Sequence, residues 1–155
     1  MSSEYFFNFL NSISHKPLPV LDSAIPLSAY IPFDLSESNS DLNHIDTASS
    51  MAWEEYINNY LIKHNKTVAY GGYCEQRSIY KRSSYFNYEN SDDERNIHLG
   101  LDLWIEANSK VYAPLDGTVH SFKNNTNFGD YGPTLILKHV IQSELFYTLY
   151  GHLSL

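Results

Sequence analysis

The chain has 155 residues, with 10 Lys and Arg against 18 Asp and Glu, for a formal net charge of −8. That length suits one domain's worth of buried core, and the acidic balance argues against nucleic acid and anionic membranes, which need clustered cations. The single cysteine, Cys74, excludes an internal disulfide and a thiolate-rich zinc site, and reads as a small buried apolar residue. The start, Met1-Ser2-Ser3-Glu4-Tyr5, lacks the basic and apolar pattern of a secretory signal. No apolar run approaches the ~18 residues of a membrane span, so the chain as written reads as a soluble, cytosolic protein.

In chain order, Tyr5, Phe6, Phe9, Leu10 and Ile13 recur at helical spacing and predict a short amphipathic helix within residues 1–15. Pro17, Pro19, Pro26 and Pro32 forbid regular helix, and Ser36–Asn43 reads as loop. Trp53, Tyr56, Ile57, Tyr60 and Leu61 form a second helical stripe, with Asp46 or Thr47 as its cap. Both stripes read as core contacts. Residues 1–66 thus form an N-terminal helical and Pro-rich accessory segment, able to lie across a neighbouring groove.

After Lys66 the period turns from helical to alternating. Thr67-Val68-Ala69-Tyr70 reads as strand and meets Gly71-Gly72, a turn or bulge signal. Glu75 and Arg77 share a strand face and are expected to pair, with Tyr80-Lys81-Arg82 following. Residues 83–96 are polar and acidic and read as a surface loop. Strands are expected at Leu101–Ile105, Lys110–Ala113, Thr118–Phe122, Thr134–His139 and Phe146–Leu149. The turns between them are Leu115-Asp116-Gly117, Phe128–Gly132 and Ile141-Gln142-Ser143. Residues 67–155 therefore read as a mainly β domain, an antiparallel sheet or barrel-like sandwich. Trp104 reads as core.

His98 and Asp102 stand four residues apart in His98-Leu99-Gly100-Leu101-Asp102. On a straight strand they would lie about 13 Å apart, too far to share one zinc. Gly100 between them permits the bend that would bring both side chains to one point. The bland alternative is a surface histidine beside a carboxylate.

The surrounding blocks extend the pattern. They are Val111-Tyr112-Ala113-Pro114-Leu115-Asp116-Gly117-Thr118-Val119, Gly129–His139, and Tyr147-Thr148-Leu149-Tyr150-Gly151-His152-Leu153-Ser154. Together with His98–Asp102 they resemble the lysostaphin-type (LytM-type) zinc metallopeptidases in order and approximate spacing, over about residues 95–155. The resemblance implies a partial lysostaphin-type fold, an antiparallel sheet or barrel-sandwich hybrid. It implies His98 and Asp102 as zinc ligands and His152 as a catalytic histidine that positions or deprotonates water or stabilises an oxyanion. Zinc would lower the pKa of water towards ~7 and polarise the scissile carbonyl. The implied substrates are peptides of bacterial peptidoglycan, so the family's usual location is extracellular or periplasmic, at odds with the absent export signal.

The family's third ligand is the second histidine of a His-x-His pair, and these residues contain no such pair. The β domain is therefore expected to be incomplete, with zinc held weakly or not at all and little activity from this chain alone. The alternative is a non-catalytic binding or regulatory module of the same fold, and an open sheet edge leaves room for a dimer. His139 is expected to serve in structural hydrogen bonding and His120 to face solvent or a polar pocket, with His15, His44 and His64 outside the resemblance. A biotinyl- or lipoyl-carrier reading of Val111–Val119 is disfavoured, because Lys138 lies inside a strand rather than at a hairpin tip.

Overall fold

A computed structural model describes residues 2–46, 48–77, 96–127 and 129–155. The expectations for Thr47 as a cap, for Tyr80-Lys81-Arg82, for the loop at 83–95 and for Phe128 fall outside them. The described residues form two α-helices and three small sheets, and among them the strands close no barrel. They divide into two compact units, one built from residues 1–24, 110–126 and 131–155, the other from 25–109 and 127–130.

The second unit is organised around helix α2 (Ser50–His64). Its N-cap is Ser49, whose side chain accepts from the Ala52 N–H at 3.3 Å, and not Asp46. Asp46 instead closes the preceding turn, accepting from the Ala48 N–H at 3.0 Å, the ordinary use of Asp before a helix. Asn65 ends α2 in the left-handed region at φ 51°, a common stop where the last carbonyls need partners. The expected stripe does pack inward: Ile57 joins Phe33, Leu35, Leu42 and Ala69 in a buried cluster, flanked by Trp53, Tyr56, Tyr60, Leu61 and Trp104. Phe33 is the hub, with Trp104, Tyr56 and Tyr60 rings 5.2, 5.6 and 4.9 Å away in tilted or edge-on arrangements. Within the Ser36–Asn43 stretch a short 3-10 helix begins, Ser40–His44, which buries Leu42.

Strand β1 (Tyr30–Pro32) pairs parallel with β2 (Val68–Gly71), and β2 pairs antiparallel with β5 (Asp102–Trp104). A second ribbon pairs β3 (Glu75–Gln76) with β4 (Ile97–His98), also antiparallel. The two ribbons share one register. Gly71 faces Asp102 and Glu75 faces His98, so the same register runs through both, interrupted by residues 72–74 on one strand and 99–101 on the other. Both interruptions carry glycine, Gly72 and Gly100, where the chain can turn aside without a side chain in the way. Cys74 sits in that turn, exposed and at φ 53°, so it is not the buried apolar residue expected from composition.

In the other unit, β6 (Thr118–Asn125), β7 (Gly132–Ile141) and β8 (Glu144–Tyr150) form an antiparallel sheet in the order β6-β7-β8. A two-residue hairpin joins β7 to β8, with Gln142 at φ 50° and Ser143 at φ 69°, the positive pair that matches strand twist. Helix α1 (Ser3–Ile13), capped by Ser2, packs Phe6 and Phe9 edge-on against Phe146, each 5.8 Å from it. Lys110–Ala113 is no ladder strand: Val111–Ala113 carry no strand assignment, and the one backbone bond there runs from the Tyr112 N–H to the Val20 carbonyl at 2.9 Å. Its apolar run, Val111-Tyr112-Ala113, suggested a strand, but the segment is exposed and no strand pairs with it among the described residues.

Candidate metal centre

The bend that the His98–Asp102 spacing requires is present at Gly100. Because β4 and β5 continue on either side of it, the imidazole and the carboxylate converge, with His98 Nε2 3.5 Å from Asp102 Oδ1. Each partner is held from behind. His98 Nδ1 lies 2.9 Å from the Gly72 carbonyl oxygen, which can only accept, so Nδ1 donates to it and Nε2 faces Asp102. Asp102 Oδ2 accepts from Arg77 Nη2 at 2.5 Å.

Arg77 is itself anchored. Its Nε donates to Glu75 Oε2 at 2.7 Å, the pairing that the sequence suggested, and Glu75 Oε1 accepts from the Leu35 N–H at 3.0 Å. Leu35 belongs to the buried cluster under α2. A chain of charge-assisted bonds therefore runs from the core through Glu75 and Arg77 to Asp102, with side-chain exposure rising from 6% at Arg77 to 26% at Asp102. The His98 and Asp102 side chains are partly exposed, at 19% and 26%.

A neutral imidazole nitrogen that faces a carboxylate oxygen in this way suits a cation between them. The separation indicates which cation suits. An N–H···O bond from a protonated ring would draw the atoms to about 2.7–3.2 Å. Two donors of one tetrahedral zinc, each roughly 2.0–2.2 Å from the metal, stand about 3.4 Å apart. The 3.5 Å gap is compatible with such a donor pair. A histidine whose other ring nitrogen donates to a backbone carbonyl is also the usual support for a metal ligand. Among the described residues no third His, Cys, Asp or Glu joins the pair, so what fits zinc here is a partial donor set.

The remaining histidines have different surroundings. His139, in the unit built on β6–β8, is 0% exposed and fully engaged. Its Nδ1 lies 2.8 Å from the Asp116 carbonyl oxygen, its Nε2 lies 2.8 Å from Thr148 Oγ1, and its ring stacks on Phe146. Gly117 makes room for it, since a Cβ there would come within 2.8 Å of Nδ1. These contacts are structural. His120 is exposed, its Nδ1 3.1 Å from Ser121 Oγ and its ring edge-on to Tyr147. His152 belongs to the same unit, exposed and at φ 55°, with its N–H bonded to the Tyr131 carbonyl at 2.7 Å. His98 and Asp102 lie in the unit built on α2.

None of the known proteins compared with the chain identifies it. No family model, curated protein or solved structure matches it. Sequence reasoning missed two parts of the centre, the Gly72 carbonyl behind His98 and the Arg77–Asp102 pair. The Gly71-Gly72 dipeptide was the only signal for the first. The second joins residues far apart in sequence, so no local pattern exposes it.

Proposed function

We propose that this chain carries part of a zinc metallopeptidase of the lysostaphin type, with peptide bonds of bacterial peptidoglycan as its substrate class. The observation that carries the reading is the approach of His98 Nε2 to Asp102 Oδ1 at 3.5 Å, with the ring fixed by Gly72 and the carboxylate by Arg77. The four sequence blocks from His98 to Ser154 supply the family and the substrate class. His98 and Asp102 would hold the metal, as the two donors that the described residues supply. Zinc in such a site supplies Lewis acidity to the scissile carbonyl and to water.

The protein's own residues do the rest. Gly72 and Arg77 keep both donor atoms aimed at one point, so little reorganisation is needed when the metal arrives. For His152, an exposed imidazole, the family resemblance alone suggests a proton-handling role. With two protein donors among the described residues, zinc is held more weakly than in a three-donor catalytic site. Little cleavage of cross-bridge peptides is expected from it.

The absence of a third donor from the described residues favours a second reading, a binding module that keeps the fold and holds no metal. Zinc titration separates the two. Wild-type chain is expected to take up close to one zinc, and His98→Ala to lose it. Equal uptake by both proteins, or none by either, would sink the metallopeptidase reading and leave the module.

A further inference from the structure

A carboxylate can meet a metal through one oxygen or both, and that choice sets the coordination number of the site. Asp102 is not free to choose. Its Oδ2 is taken by Arg77 Nη2 at 2.5 Å, while Oδ1 faces His98 Nε2. Arg77 is 5% exposed, and its Nε is tied to Glu75 Oε2 at 2.7 Å, so the guanidinium cannot swing away without leaving two carboxylates side by side. Glu75 in turn is tethered to the Leu35 backbone, which belongs to the core. The guanidinium fork is used on both its edges, a geometry that a lysine ammonium cannot reproduce.

Gly72 shows how closely these groups are fitted. A Cβ at Gly72 would lie against Arg77 Nη2, within 2.7 Å of His98 Nδ1 and 3.0 Å of Asp102 Oδ2. One backbone position thus borders three side chains, and its carbonyl holds the imidazole.

We propose that Arg77 is a positioning residue for the metal centre: by occupying Oδ2 it makes Asp102 a one-oxygen donor and keeps the site at low coordination number. This rests on the metal reading above. Low coordination number favours a zinc-like ion with nitrogen and oxygen donors over calcium or magnesium, which seek six or more oxygens. In this role Arg77 acts through Asp102.

The test uses the full 155-residue chain as wild type, Arg77→Gln, Arg77→Lys and His98→Ala. Zinc affinity is measured by competition with a chromophoric chelator, and coordination by the visible absorption of added Co²⁺, which is intense for four-coordinate ions and fades as coordination rises. Near-UV circular dichroism confirms that each variant keeps its aromatic packing. Arg77→Gln is expected to weaken zinc binding about 10–100-fold, as losses of a ligand's hydrogen-bond partner do, and to dim the Co²⁺ band. Arg77→Lys, which keeps the charge, recovers part of the affinity and carries the test if Arg77→Gln does not fold.

Wild-type affinity and an unchanged Co²⁺ band in folded Arg77 variants, with metal lost in His98→Ala, would overturn the role of Arg77 and leave the metal reading standing. Wild-type chain that takes up no zinc or Co²⁺ would overturn both. A purely structural Arg77 would lower the melting temperature without altering the spectrum of the folded protein.

Discussion

Gly72 is where the backbone and the candidate centre constrain each other most. It sits at φ 88°, a region L side chains rarely adopt, and its missing Cβ leaves room for Arg77, His98 and Asp102 together. Gly72→Ala therefore combines about 1–3 kcal/mol of backbone strain with a collision that displaces the Arg77, His98 or Asp102 side chain. We expect it to lower the denaturation midpoint and abolish zinc uptake. Gly100→Ala is the comparison: its Cβ would stand 3.2 Å from His98 Nε2, at a position with no positive φ. Isothermal titration with zinc should find binding weakened in Gly100→Ala and absent in Gly72→Ala. Equal binding by both would show that the bend tolerates a side chain at either glycine.

At the scale of elements, α1 is held to its sheet by aromatic contacts and one polar bond. Tyr5 Oη donates to Glu144 Oε1 at 2.6 Å, at the start of β8. That bond and the charge of Glu144 raise the Tyr5 phenol above its ordinary value near 10. The folded pKa is the higher one, so the bond stabilises the protein fully below about pH 10 and its contribution fades as pH climbs through the raised value. Denaturant midpoints of wild type and Tyr5→Phe should differ by a constant small amount from pH 7 to 9, then converge above pH 10. A gap that persists at pH 11 would assign the difference to packing.

Both helices were legible because Phe6 and Phe9, or Trp53, Ile57 and Tyr60, repeat at helical spacing and bury one face. The long strands β6–β8 were legible from alternation and from the turn at Gln142-Ser143. Lys110–Ala113 was misread because a short apolar run says nothing about backbone pairing, and here Val111 and Tyr112 are exposed. The cap of α2 was misplaced because Asp46 and Ser49 both suit a helix start, and only the geometry of the turn separates them.

Across the whole chain, the metal centre is tied to the α2 core through Glu75 and Leu35, so metal binding should register in global stability. A ligand that binds only the folded state stabilises by about 2.7 kcal/mol at a hundredfold excess over its dissociation constant. For a chain of this size that corresponds to roughly 5–10 °C in melting temperature. We expect excess zinc to produce such a rise in wild type, chelator to reverse it, and Asp102→Ala to show none. A rise of equal size in Asp102→Ala would place the bound zinc elsewhere. The donor pair could be read from the sequence because two ligand-type residues flank a glycine. Its support could not, since Arg77 and Asp102 meet only once the two strands are paired. No helix among the described residues is long and apolar enough to cross a membrane, as the hydropathy suggested.

The matched interruptions at 72–74 and 99–101 bear on how this chain can change length over evolution. Three residues face three, so the strand pairing resumes without a slip. Losing one residue from either side would leave three facing two. A bulge would have to absorb the difference, or one strand would slip and turn its side chains to the opposite face. Either way His98 and Asp102 would part. Length changes here are tolerable only in compensated pairs, one residue from each strand with both glycines kept, which makes this short ribbon a stretch where indels should be purged while substitutions nearby persist.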